Sequence, residues 1–285
     1  MKKSKLVMPV LKWVGGKRQL LPEIKKYMPT ISKNITYYEP FVGGGAVLFD
    51  MQPNKAVIND VNHDLIDVYR VIKDNVEDLI TELKKEKYAN TSEAFYQIRE
   101  LDRKPNEFNK LTGVQKAARI LYLNKTCYNG LYRVNSVGEF NSPFGRYKNP
   151  NIINDVGLRA VSKYFNDNNI TFLSGDFESA LKGIKKGSVV YFDPPYAPIS
   201  KTSNFTGYNE SGFGLDEQTR LRNLCDKLTE KGVHILLSNS DCEMIRTLYS
   251  DESKYKIIQV KAKRTINSVA SSRGEVSEVL ITNNV

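Results

Sequence analysis

Val189-Val190-Tyr191-Phe192-Asp193-Pro194-Pro195-Tyr196 is the stretch on which the reading of this chain turns. Four β-branched and aromatic residues predict a buried strand, with Asp193 where that strand ends. In an open α/β sheet, ligands bind just outside the carboxyl ends of the strands, so this acid stands where chemistry is expected. Two prolines stiffen the backbone that follows and supply no N–H, leaving carbonyl acceptors on a fixed frame. Tyr196 adds a flat face. Acceptors beside a stacking face suit an exocyclic amino group on a planar base. The plainer reading is a strand entering a Pro-Pro turn, with Asp193 as a cap, and four residues alone do not separate the two.

Outward from this stretch, strands and helices alternate. Strands are expected over 35–39, 56–59, 170–173, 189–192, 234–237, 257–260 and 279–282. Helical periodicity is expected over 20–27, 46–51, 64–72 and 216–229. The alternation stops between about 76 and 165, where amphipathic helices (79–83, 94–101, 114–123) precede a turn-rich stretch. That stretch holds Asn129-Gly130, a strong hairpin dipeptide, and Val137-Gly138. The pattern predicts a doubly wound α/β domain interrupted by a helical insert carrying a β-hairpin. The expected division is 1–64 with 163–285 as the catalytic domain and 65–162 as the insert.

Composition narrows the partners. The 285 residues carry 42 Lys+Arg against 32 Asp+Glu, a net charge of +10. Residues 110–150 hold Lys110, Lys116, Arg119, Lys125, Arg133, Arg146 and Lys148 against Glu139 alone. Residues 254–273 hold Lys254, Lys256, Lys261, Lys263, Arg264 and Arg273 with no acid. Two basic stretches interleaved with tyrosines predict a nucleic-acid binder, although solvated faces would look similar. No apolar run reaches membrane-spanning length and the amino-terminal apolar stretch is too short for a secretory signal, so a soluble, cytoplasmic chain is expected. Cys127, Cys225 and Cys242 form no close pair, which suits a reducing compartment. With His63 and His234 alone, no histidine-based metal centre or triad is expected.

A cofactor end stands out. The predicted strand 35–39 is followed by Gly43-x-Gly45-x-x-Leu48, a loop whose glycines let a ligand approach the backbone. The third glycine of the dinucleotide fingerprint is absent, which argues against NAD. Asp60 closes the next strand, where a carboxylate can accept both ribose hydroxyls.

Seven ordered motifs then carry a resemblance. They are Trp13-Val14-Gly15-Gly16-Lys17, Glu39-Pro40-Phe41-Val42-Gly43-Gly44-Gly45, Ile58-Asn59-Asp60, Tyr128-Asn129-Gly130-Leu131-Tyr132-Arg133, Pro143-Phe144-Gly145-Arg146-Tyr147, Gly175-Asp176-Phe177 and the Asp193 tetrapeptide. In this order the chain resembles the alpha-arranged DNA adenine-N6 methyltransferases, the Dam-like GATC enzymes and especially the DpnII-type modification enzymes. The resemblance runs from about Leu11 to Asn283. It implies a doubly wound, S-adenosylmethionine-dependent methyltransferase-like sheet. It further implies that the cofactor is S-adenosylmethionine, leaving as S-adenosyl-L-homocysteine, without a metal. Contacts are implied at Trp13, Lys17, Phe41, Gly43, Gly45, Asp60, Asp176, Phe177 and Asp193. Cys127-Tyr128 stands where relatives often carry Asn-Phe.

For the reaction, Asp193 and the Pro194 carbonyl are the expected acceptors for the adenine amino hydrogens, with Pro195 stiffening the loop and Tyr196 stacking on an extruded base. The cysteines follow Thr126, Leu224 and Asp241, so no Pro-Cys pair exists for cytosine-C5 chemistry. By resemblance, Asn129, Leu131, Arg133 and Pro143 read bases with Lys12 as a partner, while Arg146, Tyr147 and Lys148 grip phosphates. The expected partner is double-stranded DNA, at the GATC site of the family. A monomer is expected, in a prokaryotic or phage-type setting, paired functionally with a restriction endonuclease without a stable complex. The rival readings are an RNA base methyltransferase and a non-catalytic DNA-binding relative.

Overall fold

The computed structural model describes residues 3–198, 212–263 and 275–284. Contacts group the chain into two compact units, Met1–Gly16 with Gly43–Gln52 and Asp60–Gly175, and Lys17–Val42 with Pro53–Asn59 and Asp176–Val285. Four of the crossings between them fall inside quoted motifs, at Gly16/Lys17, Val42/Gly43, Asn59/Asp60 and Gly175/Asp176. The packing units thus differ from the expected division at residues 64 and 163. The glycine loop and Asp60 group with the helices because Gly43 and Gly45 lie against Trp13, Phe49 and Tyr69.

Strands are β1 (Tyr37–Glu39), β2 (Lys55–Asp60), β3 (Asn169–Ser174), β4 (Val189–Phe192), β5 (His234–Ser240), β6 (Lys256–Lys263) and β7 (Glu275–Thr282). In the second unit six of them run in the order β2-β1-β4-β5-β7-β6. Neighbours from β2 to β5 are parallel, and β7 lies antiparallel to both β5 and β6. All four β4 residues are buried, as a strand with neighbours on both edges and cover on both faces must be. All seven expected strands are present. The first is shorter than expected, β4 matches, and β2, β3, β5, β6 and β7 run longer.

The first unit is helical, with β3 its one strand among the described residues. Helix starts follow capping chemistry: Asn62 accepts from Leu65 N–H, Thr91 from Ala94 N–H, and Thr112 with Gln115 closes a reciprocal box over Gly113–Thr126. Helix Asp155–Asp167, capped by Asn154, was not expected as a separate element. Its Leu158, Val161, Tyr164 and Phe165 make one apolar face. Phe165 is fully buried, its ring centroid 5.0 Å from Phe172, 5.8 Å from Phe49 and 6.0 Å from Tyr69. No helix among the described residues is long and apolar enough to cross a membrane.

Truncating a ring in such a cluster leaves a cavity as well as lost transfer energy. Phe165→Ala is expected to lower stability by about 3–5 kcal/mol in denaturant unfolding. A change near zero would mean that this aromatic cluster does not hold the unit together.

Candidate active site and DNA-facing loop

Strand register builds the tetrapeptide's surroundings. Phe192 pairs with Leu237, so the next residues, Asp193 and Ser238, come side by side. Ser238 Oγ donates to Asp193 Oδ1 at 3.0 Å. Ser240 pairs with Glu278 of β7, which brings that acid to the same sheet end, and Tyr196 donates its hydroxyl to Glu278 Oε2 at 2.8 Å. Between them, Asn239 accepts from Ala197 N–H and donates to Gln218, whose amide donates to the Pro195 carbonyl at 2.9 Å. Ser238, Asn239, Gln218 and Glu278 are all buried. They hold the loop from below, and the sequence reading missed all four. The available signal was weak: polar Ser238-Asn239-Ser240 interrupting an apolar strand.

Lys17 completes the cage. Its ammonium lies 2.7 Å from Asp193 Oδ1 and 4.5 Å from the centroid of the Tyr196 ring. Burial pushes the Asp193 carboxyl up from its ordinary value, while Lys17 and the Ser238 hydroxyl pull it down. Both of these contacts converge on Oδ1. Phe41 packs against Phe177, Phe192 and Phe213 (centroids 5.3, 6.4 and 5.7 Å) in the same unit. Arg220 binds Asp176 at 2.5 Å and Glu178 at 2.7 Å, and its guanidinium covers the Phe177 ring at 4.4 Å.

In the first unit the glycine loop is shaped by what touches it. Gly43 has φ +47 and Gly45 φ +69, and a Cβ would lie 2.9 Å from the Trp13 ring at the first and 2.8 Å from Phe49 at the second. Gly43 N–H donates to Asp60 Oδ2 at 2.9 Å and Asn62 N–H to Oδ1 at 3.0 Å. Burial raises the Asp60 carboxyl and these two donors oppose it. Trp13 stacks on Tyr132 with centroids 5.2 Å apart.

The loop following helix Gly113–Thr126 departs from a regular ribbon. Asn129 (φ +57) and Gly130 (φ +65) form a tight turn, but the chain does not fold back there. A Cβ on Gly130 would touch Lys12 at 2.4 Å, and Asn124 donates to both the Lys12 and Gly130 carbonyls. These contacts capture the dipeptide at the helix end. The reversal comes later, where Asn135 N–H donates to the Glu139 carbonyl at 2.8 Å and Asn135 Oδ1 receives Glu139 N–H. Pairing is limited to two isolated bridges, Cys127 with Phe144 and Val134 with Phe140. Lys12, Asn129, Arg133, Pro143, Arg146 and Lys148 are exposed, while Leu131 and Tyr147 are half-buried. Lys12 also lies over the Tyr147 ring at 5.3 Å. Tyr128, exposed beside Asn129, was not among the expected DNA contacts. Arg264 and Arg273 of the second basic stretch lie outside the described residues.

Comparison with known proteins decides the identity of this arrangement. Residues 13–266 match the D12 class N6 adenine-specific DNA methyltransferase family. The chain belongs to that family. It is 46% identical over 275 residues to the Type II methyltransferase M1.LlaDCHI of Lactococcus lactis subsp. cremoris, covering 96% of this chain and 95% of that one. It is 43% identical to the Type II methyltransferase M.MjaIII of Methanocaldococcus jannaschii, covering 97% and 99%. It is 36% identical to the DNA adenine methylase of Escherichia coli K12, covering 95% and 93%. The protein is thus a site-specific DNA methyltransferase acting on adenine N6, and membership implies use of S-adenosylmethionine. The residues fit that group: a carboxylate with both oxygens pre-held by backbone donors suits ribose hydroxyls, and a cation-supported acid at a strand end suits a sulfonium neighbourhood.

The methyltransferase's Asp193 also gives a pH signature. A raised folded-state value means that its contribution to stability is present below its ordinary value and is lost as pH rises through the folded one. Removing the lysine removes a lowering influence, so Lys17→Met should shift Asp193 further upward. Carboxyl carbon NMR titration of wild type and variant checks this, and a downward or absent shift would contradict the assigned pairing.

Proposed function

We propose that this methyltransferase modifies the adenine of GATC in double-stranded DNA as the modification enzyme of a restriction-modification system. The observation that carries the chemistry is the cage of Lys17, Ser238, Gln218, Asn239 and Glu278 around Asp193 and Tyr196. Adenine N6 is a poor nucleophile because its lone pair is delocalised into the ring. The Asp193 carboxylate and the Pro194 carbonyl accept its two hydrogens and favour a pyramidal, more nucleophilic nitrogen. Lys17 and the Ser238 hydroxyl favour the ionised form of Asp193 against the burial that opposes it. Tyr196 stacks on the base, which leaves the helix to reach the site. Bound S-adenosylmethionine supplies an electrophilic methyl group, so orientation matters more than a strong base. Asp60 accepts the ribose hydroxyls, Asp176 and Phe177 address the cofactor adenine, and Trp13, Lys17, Phe41, Gly43 and Gly45 line the remainder.

For sequence reading, Arg133 addresses guanine, with Lys12, Asn129, Leu131 and Pro143 as further base contacts, and Arg146, Tyr147 and Lys148 hold phosphates. Residues 65–162 form the target-recognition domain, and 1–64 with 163–285 the catalytic one. The seven ordered motifs and the basic, exposed loop support GATC, and the Type II names of the Lactococcus and Methanocaldococcus relatives support a modification role. The enzyme acts as a monomer in the cytoplasm, with a cognate endonuclease as functional partner.

Labelled methyl transfer onto duplexes containing or lacking GATC, and onto RNA, tests the reading; equal labelling of all duplexes would overturn it. On that panel Arg133→Ala is expected to relax discrimination against one-base variants by about 1–3 kcal/mol. Lys148→Ala should instead weaken all sequences alike and lower the salt slope by about one unit.

Two further outcomes separate chemistry from binding. Asp193→Ala should lose turnover by orders of magnitude while duplex binding persists. Asp60→Ala should weaken equilibrium cofactor binding by about 1–3 kcal/mol, the scale of hydrogen bonds to a charged group, with DNA affinity unchanged. Unchanged cofactor affinity would return Asp60 to a structural cap.

A further inference from the structure

The loop that carries Arg133 has almost no ladder of its own. Its limbs share two isolated bridges. Asn135 N–H to the Glu139 carbonyl at 2.8 Å and Asn141 N–H to the Arg133 carbonyl at 2.9 Å flank Val134 and Phe140. Tyr128 N–H to the Pro143 carbonyl and Gly145 N–H to the Thr126 carbonyl, both at 2.8 Å, flank Cys127 and Phe144 at its base. Between the bridges the Ser142 hydroxyl, donating to the Leu131 carbonyl, ties the limbs together. An isolated hairpin of this kind is marginal in water. Something else must set its position.

Both peptide groups of Phe140 are bound from outside the loop. Phe140 N–H donates to Asp102 Oδ2 at 2.8 Å, and Arg103 Nη2 donates to the Phe140 carbonyl at 2.9 Å. The two side chains are themselves paired, Arg103 Nη1 to Asp102 Oδ1 at 3.1 Å. An acid and a base side by side thus take the donor and acceptor that a neighbouring strand would take. Arg103 also reaches Glu139 Oε2 at 3.6 Å. Behind them, buried Arg119 binds Asp102 Oδ2 at 2.7 Å and donates from Nε and Nη2 to the Ile98 and Arg99 carbonyls at 2.9 and 2.7 Å. Asp102 is therefore anchored to two helical segments, and the Phe140 ring is buried edge-on to Tyr132 at 5.6 Å.

The consequence reaches Arg133 through one residue. Asn141, next to Phe140, donates to the Arg133 carbonyl, so fixing Phe140 fixes the backbone from which the Arg133 side chain departs. We propose that Asp102 and Arg103 are specificity-determining positioning residues, which set the placement of Arg133 for base reading without touching DNA. The inference rests on the reading of Arg133 as a base contact. A misplacement of about 1 Å is enough to spoil a bidentate contact, whose geometry is what discriminates.

The test uses the full-length enzyme and methyl-transfer kcat/KM on GATC and single-base-variant duplexes, with Arg103→Gln, Asp102→Asn and Arg133→Ala measured together. Arg103→Gln keeps the buried Asp102–Arg119 pair and is expected to reduce the GATC-to-variant ratio about tenfold, the scale of one lost base contact. Cofactor affinity should be unchanged, and hydrogen exchange at the Phe140 amide should be faster. Asp102→Asn should act in the same direction; if it does not fold, Arg103→Gln decides alone. A folded Arg103→Gln enzyme with the wild-type ratio, or with an equal loss on every duplex, overturns the inference. If Arg133→Ala relaxes the ratio while Arg103→Gln does not, the clamp alone is rejected. If Arg133→Ala leaves the ratio intact, both the base-reading assignment and the clamp fall.

Discussion

Burial of a carboxyl at the end of an apolar strand is the constraint on which the second unit's polar network depends. β4 is apolar and covered on both faces, so Asp193 follows it directly into a site that opposes ionisation. One cation and one hydroxyl offset that burial, and each comes from a different place. Lys17 arrives from the turn ahead of the first helix, Ser238 from the neighbouring strand. The sheet register is therefore also an electrostatic device. A slip of one residue between β4 and β5 would turn Ser238 to the other face and leave the acid with a single partner.

The same economy appears around Tyr196 and the prolines. Two consecutive prolines stiffen a loop but offer no N–H with which to tie it down. Side-chain amides do that work: Gln218 takes the Pro195 carbonyl, and Asn239 takes the Ala197 N–H. Glu278 fixes the far end of the tyrosine ring through its hydroxyl. A buried network of this kind is effective only when its members are satisfied. Asn239 donates to Gln218 and accepts from the loop, so the two amides form one connected network.

The helical unit solves a different problem with related means. Its loop carries no side chain from Gly43 to Gly45, where Trp13 and Phe49 already fill the space a Cβ would need. Two backbone donors hold the Asp60 carboxylate where the chain leaves β2. In the loop proposed to read DNA, exposed polar and basic residues sit on limbs joined by two isolated bridges rather than a ladder. The loop is held instead by charged side chains from the helical body. Charge-assisted bonds to backbone suit this task, being stronger and more directional than the neutral pairs of a two-stranded ribbon.

Much of this was legible in the amino-acid order. Apolar runs ending in acids announced β2 and β4, apolar periodicity announced helices, and ordered motifs announced the family, because each is a local property of consecutive residues. Helix Asp155–Asp167 escaped because its apolar face is read only once Phe165 has partners from Phe49 and Phe172. Asn129-Gly130 has the backbone of a hairpin turn and takes the positive φ values it predicts. Contacts with Lys12 and Asn124 nevertheless moved the reversal to Asn135–Glu139. Ser238, Gln218, Glu278 and Asp102 were invisible for one physical reason. Their roles depend on strand register and helix packing across distant stretches of chain, so the sequence by itself determined which chemistry is present, and only the tertiary structure decided which groups hold it in place.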